Sequence, residues 1–120
     1  VAVIDDPREL LTAVVSISSA NFDRTLPVFT VIREAAAVEP SLADLERDRH
    51  RQRLRNFRHP VERLAELGAL HAEIDVERGS AVVFTVVHPE QYRFLVEDAG
   101  WSKRRWRAWA TAALERSLLA

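Results

Sequence analysis

The side chains able to do chemistry here are four histidines, a run of arginines and a scatter of serines and acids. Histidine changes charge near neutral pH and is the commonest metal ligand, so His50, His59, His71 and His88 come first. No two of them lie four apart, and no His-Glu-x-x-His occurs, so a metal site would have to assemble from distant segments. His50 lies on an apolar stripe and reads as a core or pocket-lining histidine. His88, beside Pro89, reads as a hydrogen-bonding group at a helix end. Ser16, Ser18 and Ser19 have no local base, and no Gly-x-Ser-x-Gly elbow is present. The acidic pairs Asp5/Asp6 and Glu97/Asp98 sit at helix ends, where capping explains them. Gly68, Gly79 and Gly100 are too scattered for a phosphate loop. We expect no catalytic residue, no metal and no cofactor.

The arginines from Arg47 to Arg58 suggest a nucleic-acid surface at first sight. Glu46, Asp48 and Glu62 are interspersed, however, and helical geometry spreads Arg47/Arg51/Arg55 and Arg49/Arg53 over different faces. The run reads as a solvated helix face. Net charge agrees: 17 basic against 18 acidic residues give −1, unlike a domain that clamps phosphates.

Two apolar sets remain. Phe22, Phe29, Phe57 and Phe84 come from four segments and could converge on one cavity, with Arg33 or His50 as polar anchor; the competing reading is that they fill the core. Tyr92, Trp106, Trp109, Ala110, Ala113 and Leu114 form a C-terminal face of aromatics and small residues. Against a two-fold copy, this face would build an isologous four-helix interface. Alternatively, the Trp-rich terminal helix docks a different protein, making the chain a small interaction module.

The elements that position these residues read as helices. Length, 120 residues, suits one domain, and 48% hydrophobic residues support a folded core. The absence of Cys excludes disulfide and thiol chemistry, and three glycines are few for an all-β fold. Without Met, the chain reads as trimmed or as part of a longer protein. No apolar run approaches a membrane span, and Val1–Ile4 is too brief for a signal peptide, so a cytoplasmic location is expected. Asp6-Pro7-Arg8-Glu9 starts a helix whose Leu10, Val14 and Ile17 recur at helical spacing, widened by Leu11 and Val15. Asn21 to Pro27 should interrupt it, and a second stretch follows with Phe29, Ile32 and Ala36 on one face. Glu39-Pro40-Ser41 opens the Arg-rich helix, with His50, Leu54, Phe57 and Val61 on one stripe; Pro60 should kink or restart it. Val82–Val87 is rich in β-branched residues, but a strand there would have only Val1–Ile4 as partner. We read it as a fully buried helix capped by Asp75. His88-Pro89 ends it, Gly100 closes the next helix, and Ser102 caps the last. The fold expected is all-α, a bundle of about five to seven helices.

The segment His88-Pro89-Glu90-Gln91-Tyr92, running to Gly100-Trp101-Ser102 and then Trp109 with the apolar tail, resembles the end of tetracycline-repressor-type transcriptional regulators (the TetR family). Val31–Ala37, Glu39–Leu42 and Leu67–Leu70 leading to Asp75–Arg78 also resemble that family's regulatory domain. Phe84 stands where a Trp is frequent, His88 replaces a small hydroxyl residue, and Pro60 interrupts a normally continuous helix. The resemblance covers nearly the whole chain, 1–120. It implies an effector-binding and homodimerisation domain, binding a small apolar or amphipathic effector and touching DNA only through an N-terminal helix-turn-helix head that this sequence does not contain.

Overall fold

Asp6 starts the first helix as its spacing predicts, its carboxylate accepting from the backbone N–H groups of Arg8 and Glu9. The structure, a computed structural model, describes residues 4–120; Val1–Val3 of the Val1–Ile4 segment lie outside the described residues. Helix α1 covers Pro7–Ala36 and, after a short turn, α2 covers Pro40–Glu66. Leu67 and Gly68 end α2, Gly68 at φ 69°, where a side chain would be strained. Helix α3, Val76–Val86, is capped by Asp75; α4, Pro89–Arg93, is capped by the His88 ring and runs on through a π-helical turn, Phe94–Asp98. Ser102 caps α5, Lys103–Leu118.

The chain is all-α, with no strand among the described residues. Long helices number four, fewer than the five to seven expected, because neither Pro27 nor Pro60 breaks its helix. A proline inside a helix costs about 3 kcal/mol through a lost hydrogen bond and a clash with the preceding turn. Pro27 is exposed and the turns beside it are held by buried Phe22 and Leu26. Pro60 is held likewise by the adjacent Val61 and by Leu64 one turn on, both buried. Packing outweighs the local penalty at both sites.

Asp5 pairs with Arg63 near the end of α2, so α1 and α2 form an antiparallel hairpin. Helix α5 runs antiparallel to α1, Glu115 pairing with Arg8 and Lys103 with Asp23. Helix α3 crosses α2 at Gly79, where an added Cβ would meet Val61 Cγ1 at 2.7 Å. The last residues are tied down by His71 N–H donating to Leu118 O and Ala120 N–H to Ala69 O.

The core joins Leu11, Val15, Phe22 and Leu26 of α1 to Val61, Leu64, Val83, Val87, Tyr92, Trp106, Ala110, Leu114 and Leu118. Two sequence expectations are corrected here. Helix α3 is buried on one face only: Val83 is buried, whereas Ala81 and Thr85, one turn apart, are exposed. The core stripe of α1 passes through Leu11 and Val15, and Ile17 is 71% exposed, because the Leu10–Val14–Ile17 edge faces a groove.

Candidate functional site: a groove between the first two helices

An open cavity of about 730 Å³ runs between α1 and α2. Leu10, Val14, Ile17, Phe22 and Phe29 form its α1 wall. The α2 wall mixes Phe57 and Pro60 with Arg49, Gln52, Arg53 and Asn56. It therefore has an apolar side and a side that offers hydrogen-bond donors, the usual division of a small-molecule site. A second cavity of about 80 Å³ adjoins it, lined by Ile32, Arg33, Glu46, His50, His88 and Glu90. Phe29, Arg49 and Arg53 belong to both and stand at the junction.

Arg53 is held over aromatic surface, its guanidinium 4.4 Å from the Phe84 ring centre and 5.8 Å from that of Phe57. Its Nη2 donates to Val87 O at 2.8 Å, and burial pushes its pKa down to about 10. Arg49 stacks on Phe29 at 3.9 Å. Arg33 pairs with Glu90, tying the distal half of α1 to α4. The His88 Nδ1 accepts from the Glu90 backbone N–H at 3.1 Å, so the ring serves as the helix-end acceptor expected of it. Burial first, then the charge of Arg53 and the neighbouring His50, pushes His88 down to about 4. His50, Phe84 and His88 form a mutual aromatic cluster with ring centres 5.6 to 6.2 Å apart.

The six pocket candidates therefore fall in one neighbourhood. Phe22, Phe29 and Phe57 line the larger cavity, Arg33 and His50 the smaller, and Phe84 packs behind Arg53 and His50. Phe22 also belongs to the core, so core filling and pocket lining meet in one side chain.

The C-terminal set behaves differently. Tyr92, Trp106, Ala110 and Leu114 are buried inside the monomer, with Trp106 fully enclosed beside Tyr92 at 4.7 Å and its indole N–H donated to Gln91. These four cannot form an outward face, which also removes Trp106 from any docking surface for another protein. Trp109 and Ala113 remain half-buried, Trp109 edge-to-face with Trp101 at 6.1 Å.

Arg47, Arg51, Arg55 and Arg58 are exposed, as the solvated-face reading expects. Arg49 and Arg53 depart from that reading, because they stack on Phe29 and Phe84 and line the cavities; Gln52 and Asn56 were not singled out. The available signal was spacing: Arg49, Arg53 and Phe57 follow one another at intervals of four, which carries a cationic row onto an apolar one. Among the described residues no cluster of three or more metal-ligating side chains occurs, and no helix is long and apolar enough to cross a membrane. No protein-family model, curated protein or solved structure matches the chain.

Proposed function

We propose that this chain is the regulatory domain of a TetR-type transcriptional regulator, most simply a cytoplasmic repressor, which binds a small amphipathic effector and forms a homodimer. The observation that carries this reading is the α1–α2 cavity, about 730 Å³ with an aromatic wall and a polar one. Sites for drug-sized molecules span ~300–1,000 Å³ with that mixture of linings. The resemblance of the C-terminal segment supplies the class. DNA contact would belong to the helix-turn-helix head that the resemblance implies.

The mechanism follows from what α1 touches. Its first half packs on α5, its side borders the cavity, and its distal half is tied to α4 through Arg33 and Glu90. A ligand with different affinity for two placements of α1 against α2 biases both ends of the helix at once. Helix α5 has Trp109 and Ala113 left on its outer side, and we assign the two-fold contact to that side.

Two measurements test this. Titration with the neutral fluorophore N-phenyl-1-naphthylamine should give saturable binding at one site per chain. Light scattering should return twice the 13.7 kDa chain mass. A monomer that shows only weak, unsaturable uptake of the fluorophore contradicts the proposal.

A further inference from the structure

We propose that the ligand of the α1–α2 cavity is an amphipathic organic carboxylate, its carboxylate gripped by Arg49 and Arg53 and its apolar body lying along Phe22, Phe29 and Phe57. This rests on the reading that the cavity is the effector site, and it adds the chemical class of the effector.

The exposed arginines of α2 all have side-chain partners, Gln52 for Arg55 and a carboxylate for the rest. Arg47 pairs with Asp44, Arg51 with Asp48, Arg58 with Glu62, and Arg63 with both Asp5 and Glu66. Those guanidiniums lie toward the surface and each has a carboxylate. Arg49 and Arg53 lie toward the cavities, and neither has a carboxylate partner among the described residues. Buried Nε of Arg49 and buried Nη1 of Arg53 have no hydrogen-bond partner there either. Burying part of a cation without a counter-charge costs free energy, and here two half-buried guanidiniums share one helix face.

Nearby acids do not remove it. Glu90 is engaged by Arg33, and Glu46 lines the smaller cavity without an ion pair to Arg49 or Arg53. Aromatic faces orient the two guanidiniums, Phe29 under Arg49, and Phe84 and Phe57 beside Arg53, while Val87 O takes one proton of Arg53 Nη2 and leaves its Nη1 unpartnered. An aromatic face orients a guanidinium without using up its in-plane donors, so Arg49 Nε and Arg53 Nη1 remain free for an anion. Positions four apart put both groups on the same side of α2. Two forks side by side match the two oxygens of a carboxylate through charge-assisted bonds. Phe29 borders both cavities, so an apolar group attached to that carboxylate passes directly onto the larger cavity's aromatic wall. A neutral ligand would deepen the desolvation of both cations without compensating it, and a cationic one would be repelled.

Isothermal titration calorimetry on the chain with two matched pairs tests the proposal: 2-naphthoate against 2-naphthalenemethanol, and decanoate against 1-decanol. Each acid should bind at least about tenfold more tightly than its alcohol, the worth of one charge-assisted hydrogen bond. In R53Q and in R49Q that preference should shrink to within about threefold while alcohol binding is retained. Equal affinity of acid and alcohol for the native chain overturns the proposal and leaves an apolar effector site standing. An acid preference untouched by both substitutions also overturns it, since the anion then sits elsewhere. If none of the four compounds binds, the effector-site reading falls with it. Should R53Q lose its helical circular dichroism, R49Q and the comparison on the native chain decide the matter.

Discussion

The Tyr92 hydroxyl donates a 2.6 Å hydrogen bond to the Asp23 carboxylate, joining α4 to the middle of α1 across 69 positions of sequence. Asp23 also receives Lys103 at 3.3 Å, so one carboxylate gathers α1, α4 and the start of α5. Burial, and next the hydrogen bond to Asp23, pushes the Tyr92 hydroxyl up to about 12. The folded chain thus holds the phenol proton more tightly than the unfolded chain, whose Tyr titrates near 10. Stability from this group is complete below pH 10 and declines as pH rises toward 12.

Removing that hydroxyl tests the node. A hydrogen bond to a charged group contributes about 1.5–3 kcal/mol, and the Asp23 side chain is 36% exposed, which favours the lower end. Y92F should lose about 1.5 kcal/mol in urea unfolding and a matching share of the decline above pH 10. An unchanged alkaline limb in Y92F would mean that another group sets it.

Acid sensitivity should trace to His88. Its folded pKa of about 4 lies below the ordinary 6.5, so the unfolded chain binds more protons between those values. Stability from this group is present above pH 6.5 and is lost as pH falls through 4. Asn at position 88 keeps a helix-capping acceptor and cannot titrate. Denaturation of H88N between pH 4 and 6.5 should therefore be flatter than that of the native chain, and equal slopes would contradict the assignment.

Gly79 sits where α3 crosses α2. Replacing it with Ala gains about 1 kcal/mol of helix propensity. The added Cβ, however, meets Val61 Cγ1 at 2.7 Å, and Val61 is fully buried and stiff at its β-carbon. Overpacking of this kind costs about 1–3 kcal/mol, so G79A should be less stable despite its better propensity. Thermal unfolding of G79A checks the sign.

Ala13 lines the larger cavity from α1. A13W should fill it, reducing the affinity for N-phenyl-1-naphthylamine by about tenfold or more while helical content is kept. Undiminished binding to a folded A13W would place the fluorophore somewhere other than this groove.

Local chemistry was the most legible part of the fold. Asp6, Asp75, His88 and Ser102 act within a turn of themselves, and each side chain accepts from a helix N-terminal backbone N–H. Pro27 and Pro60 misled for the opposite reason: their penalty is local, whereas what overrides it, the packing of Leu26, Val61 and Leu64, is tertiary. The apolar edge Leu10–Val14–Ile17 has the same periodicity whether it meets a core or a cavity, so spacing could not separate the two. Tyr92 and Trp106 read as an outward stripe because the sequence does not say that Phe22 of α1 packs against both rings. Arginine hid the rest: its long stem and charged head suit a wet face, and only the positions of Arg49 and Arg53 beside Phe29, Phe84 and Phe57 show them turned inward.

If the α1–α2 groove is the effector site, a bound apolar probe must touch both of its walls. Intermolecular nuclear Overhauser effects between bound N-phenyl-1-naphthylamine and the isotope-labelled chain would locate that probe. Contacts are expected to the Val14 and Ile17 methyl groups and to the rings of Phe29 and Phe57. Contacts confined to Trp101, Trp109 and the outer side of α5 would contradict that assignment.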